Sequence, residues 1–135
     1  MNNNPRINIL ILNWNGKNIL DDCINSIRLS TYDNFFITII DNGSNDNSIE
    51  KYFNDKDIEV LENKKNLGYA KGYNSAFKKI LNKKDDYYLI LNNDTILLPD
   101  TIEKLVNSLR KYGKLNIYSP KILNSNNNKL WFAGG

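Results

Sequence analysis

The hydrophobic positions of this chain fall into short, nearly unbroken runs separated by polar segments. Four runs rich in β-branched and aromatic residues predict strands at residues 7–12, 35–40, 58–61 and 87–91. The run at 87–91 holds five apolar or aromatic residues without alternation and ends abruptly at two Asn and one Asp. That pattern is typical of a strand buried on both faces in a parallel sheet.

Between these runs, apolar residues recur at the spacing of one helix face. Such stripes lie at 19–27, 76–81 and 102–109, and a shorter helical patch lies at 49–53. Strands that alternate with helices of about a dozen residues predict an α/β domain. We therefore expect a single domain over residues 1–135, with a mostly parallel twisted sheet, helices on both faces and right-handed crossovers.

Local signals refine the element boundaries. Asn18 is positioned to cap the first helix, and Asp100 and Glu103 stand at capping-box spacing at the start of the last one. Residues 115–118 and 121–123 resemble two further short strands. The chain contains no internal repeat and no linker, which agrees with one domain.

The composition restricts the classes of function. Of the 135 residues, 41% are hydrophobic and 24% are charged, and no segment approaches the roughly 20 apolar residues of a membrane span. The net charge of +3 is too small to indicate a nucleic-acid partner. The absence of histidine excludes histidine zinc sites and Ser-His-Asp triads. The N-terminus lacks a secretory signal and Cys23 is the single cysteine, so we expect a cytoplasmic protein with Cys23 packed in the core.

Polar clusters follow the predicted strands at their carboxyl ends. They comprise Asn13 and Asn15, Asp41, residues 66–74 and residues 92–94. Each cluster alone is an ordinary polar turn, but the carboxyl ends of parallel strands share one edge, where α/β sheets bind ligands. Carboxylates, amides and a lysine beside a helix start together suit a nucleoside diphosphate bridged by a divalent cation. We therefore predict that the clusters converge on such a site.

Four motifs, in this order and spacing, resemble a known family. They are ILILNWNG at 9–16, DNGSND at 41–46, NLGYAKGYN at 66–74 and LNNDT at 91–95. The chain resembles the N-terminal, donor-binding part of a family 2 glycosyltransferase with the GT-A fold, a Rossmann-like fold of nucleotide-diphospho-sugar transferases. It is most similar to the rhamnosyltransferase-like branch that builds bacterial surface polysaccharide.

The resemblance implies which residues bind the sugar donor. Asp41 would bind the nucleobase, while Asn13 and Asn15 would line the nucleoside pocket. Lys71 and Asn74 would lie near the ribose and the diphosphate. The other implied donor-binding residues are Gly68, Asn92 and Asn93.

Residues 92–94 occupy the place of the family's Asp-X-Asp motif. The last Asp of that motif, here Asp94, would bind Mn²⁺ or Mg²⁺ through the diphosphate. The first Asp is replaced by Asn92, whose neutral carbonyl oxygen would lower the affinity for metal or leave that ligand unused.

The resemblance also implies inverting transfer of a sugar to an acceptor hydroxyl, with the cation neutralising the leaving diphosphate. The family's catalytic base lies after the segment 131–135, so the catalytic residue is unknown here and the base is expected beyond Gly135. On this interpretation the chain is truncated before the acceptor-binding region and binds donor without turnover. Trp131 and Phe132 are then expected to pack on the sheet or to meet a partner chain, including a second copy.

The implied partners are a UDP- or dTDP-linked sugar and a glycan or lipid-linked acceptor, with peripheral association at the inner face of the membrane. Two alternatives stay open. A non-catalytic nucleotide-binding or assembly module is favoured by Asn92 and by the missing base. A dinucleotide-dependent oxidoreductase would need a Gly-x-Gly-x-x-Gly turn where the chain has residues 13–16, Asn-Trp-Asn-Gly.

Overall fold

In the computed structural model, which describes residues 4–81, 85–113 and 115–133, four parallel strands form the main sheet. The strands are β1 (Ile7–Asn13), β2 (Phe35–Asp41), β3 (Ile58–Glu62) and β4 (Tyr87–Asn92). They lie in the order β3-β2-β1-β4. Ile7 is opposite Phe35 on one side and Tyr87 on the other, so β1 is paired with a neighbour on each side.

Helices connect these strands, and a small hairpin follows them. The helices are α1 (Leu20–Arg28), a short 3₁₀ helix (Glu50–Tyr52), α2 (Tyr69–Ile80) and α3 (Thr101–Tyr112). The hairpin consists of β5 (Ile122–Leu123) and β6 (Leu130–Phe132), which pair antiparallel to each other and apart from the main sheet.

Both faces of the sheet are covered, as predicted. On one face Ile9 of β1 packs with α1, the 3₁₀ helix and α3 in a cluster that includes Ile24 and Ile102. On the other face Leu10 of β1 packs with α2 in a cluster that includes Ala76. β1 therefore contributes alternate residues to two cores, which explains why its sequence is apolar at nearly every position.

The order of the strands reverses at β1. The chain runs from β1 through β2 to β3, and then crosses back to place β4 on the far side of β1. A reversal of direction moves a right-handed crossover to the opposite face, and α2 is indeed packed against the face opposite to α1. Such a reversal opens a crevice at the carboxyl edge of the sheet, where ligands of α/β proteins bind.

The sequence predictions for the regular elements are largely confirmed. All four strands are present, and each is one residue longer than predicted, so that β1 ends at Asn13, β2 at Asp41 and β4 at Asn92. The three α-helices are also present, although α2 begins at Tyr69, inside the glycine-containing segment. The α/β class and the parallel sheet are as expected.

Two predicted elements differ in the structure. Residues 115–118 form no strand: Leu115 and Ile117 are 95% and 101% exposed, and the hydroxyl of Tyr118 donates to the carbonyl of Gly113 at the end of α3. The helical patch at 49–53 is reduced to the single 3₁₀ turn of Glu50–Tyr52.

The side-chain capping bonds predicted for the first and last helices do not form, although Asp100 does stand at the start of the last helix, as predicted. The carbonyl oxygen of Gly16 accepts the N–H groups of Ile19 and Leu20, so a backbone turn starts α1 and Asn18 caps nothing. Asp100 stands at the N-cap position of α3, but its side chain forms no capping bond and pairs with a lysine of the same helix. Glu103 accepts a hydrogen bond from the α1–β2 connection instead of closing a capping box.

The C-terminal hairpin does not cover the main sheet. Trp131 and Phe132 are 74% and 42% exposed, so they do not pack on the sheet, and contact with a partner chain stays a prediction. Across the described residues, no helix has both the length and the apolar character needed to cross a bilayer.

We expect the stability of the domain to depend on β1. Ile9 is fully buried, and replacing it with Ala should lower the free energy of unfolding by about 2–5 kcal/mol, because the lost methyl groups leave a cavity. Ile90 on the edge strand β4 is 49% exposed, so the same change there should cost about 1 kcal/mol or less. Urea unfolding followed by circular dichroism measures both, and equal losses would contradict this account of the core.

Candidate functional site

The carboxyl ends of three strands meet at one point of the sheet edge. Asn13 is the register partner of Asp41, and Leu12 is the partner of Asn92. Asn93, the first residue after β4, donates a hydrogen bond from Nδ2 to Asn13 Oδ1 at 3.0 Å. The predicted convergence of the polar clusters that follow β1, β2 and β4 is therefore present.

The side chain of Asn13 lies at the centre of this cluster. It is fully buried, and its Nδ2 lies within hydrogen-bonding distance of three oxygens: Asp41 Oδ1 at 3.2 Å, Ser44 Oγ at 3.2 Å and Ser48 Oγ at 2.9 Å. Its Oδ1 accepts the bond from Asn93. One amide thus links the end of β2 and the loop after it to the turn after β4.

Asp41 is the most heavily hydrogen-bonded carboxylate of the site. Its Oδ2 accepts the backbone N–H groups of Gly43 at 3.1 Å and Ser44 at 2.9 Å. Its Oδ1 accepts Asn13 Nδ2 and the hydroxyl of Ser44, the latter at 2.5 Å. Asp41 is 3% exposed, and its bonds fold the loop after β2 around the carboxylate.

The loops after β1 and β2 are tied together by reciprocal bonds. The N–H of Asn15 donates to Ser44 Oγ at 2.9 Å, and the N–H of Asn45 donates to Asn15 Oδ1 at 2.9 Å. Lys17 donates its N–H to Asp46 Oδ2 at 2.9 Å. Asn15 is exposed at this rim and has a positive φ of 51°, a backbone conformation that Asn tolerates better than most residues.

Asn42 ties the same edge to the segment that precedes α2. Its Oδ1 accepts the N–H of Leu67 at 3.1 Å, and its Nδ2 donates to Asn66 Oδ1 at 2.9 Å and to the carbonyl of Gly68 at 3.4 Å. Gly43 comes next, with φ of +78°, and a Cβ there would lie 2.7 Å from the Cα of Lys65. The two loops therefore approach so closely that only glycine fits between them.

The helix α2 starts at this edge of the sheet. Gly68 has φ of +76° and open space around it, and Lys71 and Asn74 are exposed in the first turns of the helix. The hydroxyl of Tyr73 donates to the carbonyl of Leu91 at 3.0 Å, which anchors the helix start to β4. Lys71 and Asn74 lie in the first two turns of this helix, and among the described residues their side chains make no hydrogen bond to the strand ends.

The turn after β4 carries the predicted metal ligand. Asn92 and Asp94 are exposed, whereas Asn93 is half-buried because it bonds to Asn13. Cys23 of α1 lies beneath this turn and donates its S–H to the carbonyl of Asn92 at 3.6 Å. Burial raises the pKa of the Cys23 thiol to about 12, and the nearby charge of Asp94 adds to the effect. The prediction that Cys23 is a packed core thiol is confirmed.

The sequence prediction missed several members of the cluster. Ser44 and Ser48 share the amide of Asn13, Asn42 joins the loops, and Gly16 lies against the Asn13–Asn93 bond. A local signal existed only for the loop itself: an Asp side chain often accepts the backbone N–H two residues on, as Asp41 does from Gly43. The partners of Asn13 carry no local signal, because they are distant in sequence.

Comparison with known proteins identifies relatives of the whole segment. The model of the family described as "Glycosyl transferase family 2" matches residues 8–134, which include every predicted site residue. An uncharacterized glycosyltransferase of Haemophilus influenzae is 31% identical over 115 residues, covering 82% of this chain. The bifunctional glycosyltransferase pgtA of Dictyostelium discoideum is 27% identical over 146 residues, covering 96% of it. The chain spans only 35% and 19% of the lengths of these two relatives.

Solved structures share the fold. Residues 1–349 of S. aureus TarS superpose with a TM-score of 0.68 at 19% identity, covering 78% of this chain and 32% of that one. The mannosyltransferase PcManGT from Pyrobaculum calidifontis, solved in complex with GDP-Man and Mn²⁺, gives 0.70 at 16% identity, covering 80% and 33%. TarS 1–349 has also been solved in complex with UDP-GlcNAc. The expected GT-A fold is confirmed.

Gly16 offers a direct test of the cluster. A Cβ at this position would lie 2.2 Å from Asn13 Oδ1 and 2.6 Å from Asn93 Nδ2. We expect Gly16→Ala to separate these two side chains and to lower the free energy of unfolding by about 1–3 kcal/mol. In NMR spectra, the side-chain NH₂ protons of Asn93 should then exchange faster with solvent.

Gly68→Ala is the control for this substitution. Its Cβ would meet nothing within 4 Å, so the only cost is the strain of an alanine at φ of +76°. The NH₂ exchange of Asn93 should be unchanged in Gly68→Ala. If the NH₂ protons of Asn93 exchanged at the same rate in Gly16→Ala as in the wild type, the Asn13–Asn93 bond would not depend on having glycine at position 16.

The raised pKa of Cys23 predicts an inert thiol. Burial disfavours the thiolate of Cys23. The stability that the buried neutral thiol contributes is therefore fully present below the ordinary thiol pKa, and it is lost as the pH rises toward 12. At about pH 8.5 we expect the native protein to react with DTNB at least about 100-fold more slowly than the denatured protein. Similar rates in the two states would mean that the turn after β4 opens frequently.

Proposed function

The chain belongs to glycosyltransferase family 2, and from this premise we propose that it binds the nucleoside diphosphate of a sugar donor at the carboxyl edge of its sheet. The observation that carries the proposal is the hydrogen-bonded chain from Asn93 through Asn13 to Asp41. It joins three strand ends at the reversal of the strand order, where α/β sheets bind nucleotides. The neighbouring TarS and PcManGT structures hold nucleotide sugars, which supports a donor of that class.

Nucleoside recognition is assigned to the loop that Asp41 organises. This loop and Asn15 form the exposed rim above the buried carboxylate. The base of the nucleotide would rest against this rim, and the buried side chains of Asn13 and Asp41 would shape the pocket from beneath without direct contact, because their hydrogen bonds are already made within the protein. The identity of the nucleobase stays open, because the TarS and PcManGT structures hold a uridine and a guanosine nucleotide, whereas the family resemblance implies UDP or dTDP.

The start of α2 is assigned to the diphosphate. The first turn of this helix contains no acidic residue, and no side chain caps its free N–H groups. Helix N-termini with free N–H groups attract phosphate, and Lys71 and Asn74 add a positive charge and an amide on the same turns. The open space around Gly68 lets a ligand approach the backbone closely.

Asp94 is assigned to a divalent cation, Mn²⁺ or Mg²⁺. The described residues contain no group of three or more Cys, Asp or Glu side chains that could hold a metal by themselves. One exposed carboxylate beside the neutral oxygens of Asn92 and Asn93 nevertheless fits a cation that takes its remaining ligands from phosphate and water, as Mg²⁺ commonly does. When bound, such a cation neutralises charge on the leaving diphosphate.

The reaction proposed for the whole protein is inverting transfer to an acceptor hydroxyl, in the synthesis of cell-surface polysaccharide by a rhamnosyltransferase-like enzyme at the cytoplasmic side of the membrane. The catalytic base is not assigned to any described residue. The carboxylates of Asp41 and Asp46 are committed to the loop after β2, and Asp85 pairs with Arg6 at the opposite edge of the sheet. The base is proposed to follow Gly135, as the family resemblance implies.

Two alternative functions differ in the support that they have. Family membership argues against a dinucleotide-dependent oxidoreductase, and the turn after β1 is occupied by an amide cluster where that class has glycines. A non-catalytic donor-binding module keeps support from Asn92, because a neutral residue stands where the motif has its first carboxylate.

Calorimetry with UDP, dTDP and GDP in the presence and absence of Mn²⁺ tests the proposed function. We expect at least one nucleotide to bind more tightly in the presence of Mn²⁺. In Asp94→Asn the increase in nucleotide affinity caused by Mn²⁺ should be smaller by about tenfold or more, since a carboxylate ligand is lost. Asp33→Asn, an exposed carboxylate on the connection before β2, is the control and should bind like the wild type. Absence of metal-dependent binding at millimolar nucleotide would contradict the proposal.

A further inference from the structure

We propose that Asn13 is a positioning residue that fixes the amide of Asn93, so that the carbonyl oxygen of Asn93 is held free beside Asp94 for the donor-bound cation. This inference rests on the proposed function and adds to it. It assigns an oxygen ligand to Asn93 and a supporting role to a side chain that the bound donor does not touch.

Hydrogen bonds within the protein occupy the carboxylate of Asp41 completely. A carboxylate has about four lone-pair positions, and the structure fills them with Asn13 Nδ2, the hydroxyl of Ser44 and the N–H groups of Gly43 and Ser44. All of these partners donate, so both oxygens of Asp41 accept. The carboxylate therefore has no capacity left for a ligand, and its consequence for the site passes through the groups that it orients.

The partners of Asn13 fix the orientation of its side-chain amide. The nitrogen and oxygen of an amide are assigned from their partners, and an acceptor-only carboxylate must face the nitrogen. With Nδ2 toward Asp41, the oxygen of Asn13 faces Asn93 at 3.0 Å. An oxygen in that position can only accept, so Asn93 must present its own nitrogen to it.

The amide of Asn93 is oriented in turn by its bond to Asn13. Its nitrogen is held by Asn13, and its Oδ1 receives no hydrogen-bond donor from the part of the chain that the structure describes. The hydrogen-bond direction that Asp41 sets is thus passed on through two amides, and it leaves free the carbonyl oxygen of Asn93, the residue that precedes the exposed Asp94 in the turn after β4. Amide carbonyls and carboxylates are the oxygen ligands that hard divalent cations prefer.

Burial confines Asn13 to an indirect role. The residue is 0% exposed, and Gly16 lies so close that any side chain there would collide with the Asn13–Asn93 bond. A group that solvent cannot reach does not contact the donor. Groups that act in this way on metal ligands typically change metal affinity by about 10- to 100-fold when they are mutated.

The chain offers a matched control on the same strand. Asn8 is also 0% exposed and bridges its neighbours by side-chain hydrogen bonds, accepting from Thr38 at 2.9 Å and donating to Asp85 at 3.0 Å. It lies at the amino end of β1, five positions before Asn13 and at the opposite edge of the sheet. Asn8→Leu and Asn13→Leu each remove one buried amide, and they differ in which edge of the sheet they affect.

The experiment is titration of the 135-residue chain and its variants with the nucleotide that binds best among UDP, dTDP and GDP, with and without Mn²⁺. We expect Asn13→Leu to reduce the Mn²⁺-dependent gain in affinity by about tenfold, with a smaller change in metal-free binding. Asn8→Leu should lower thermal stability but keep the gain. Equal gains in Asn13→Leu and Asn8→Leu would overturn the inference.

A second variant keeps the test decisive if Asn13→Leu does not fold. Asn93→Ala changes a half-buried turn residue and should reduce the Mn²⁺-dependent gain in nucleotide affinity by about tenfold as well. The variant that combines Asn13→Leu with Asn93→Ala should lose no more than either single variant, since both substitutions break the same Asn13–Asn93 hydrogen bond. A normal gain in Asn93→Ala would refute the inference while leaving the proposed function intact. A wild-type chain without any metal-dependent binding would instead contradict the proposed function itself.

Discussion

A buried amide must satisfy its hydrogen bonds inside the protein, and the carboxyl edge of this domain is arranged around one such amide. Asn13 ends a strand that is paired on both sides and covered on both faces. Water cannot hydrogen-bond to its polar atoms. The nitrogen of the amide instead faces oxygens of Asp41, Ser44 and Ser48, and its oxygen accepts a hydrogen bond from Asn93. The requirement of one side chain therefore ties together the loops that follow three strands, whose ends the backbone pairing already places side by side.

Hydrophobic burial and hydrogen bonding contribute differently to this arrangement. The two apolar cores hold the sheet and helices together, and each fully buried aliphatic side chain contributes about 1.5–3 kcal/mol. A satisfied hydrogen bond contributes only about 0.5–1.5 kcal/mol net, but an unpaired buried group costs about 1–3 kcal/mol. The amide cluster therefore adds little to the total stability. It makes alternative arrangements of the loops unfavourable, which is what a binding site requires.

The strands and the convergence of their ends could be predicted because they depend on local composition and on a general property of parallel sheets. Apolar runs rich in β-branched residues located β1, β2 and β4, and the polar residue after each run marked the edge. The exact bonding could not be predicted, since Asn13 and Asn93 are 80 residues apart in sequence. The predicted side-chain cap of α1 was wrong for a related reason. A backbone turn at Gly16 accepts the first N–H groups of α1, so no cap from Asn18 is needed.

The replacement of the motif's first carboxylate by Asn92 acquires a physical meaning under the proposed function. With one carboxylate and neutral amide oxygens, the turn after β4 would have too little negative charge to hold a divalent cation without the nucleotide. The diphosphate would supply the missing charge, so the cation and the nucleotide would bind together. Because neutral ligands attract the cation weakly, their orientation matters more than their charge. A buried amide that fixes the direction of Asn93 is then more useful at this edge than a second carboxylate, whose charge would repel the diphosphate whenever the cation is absent.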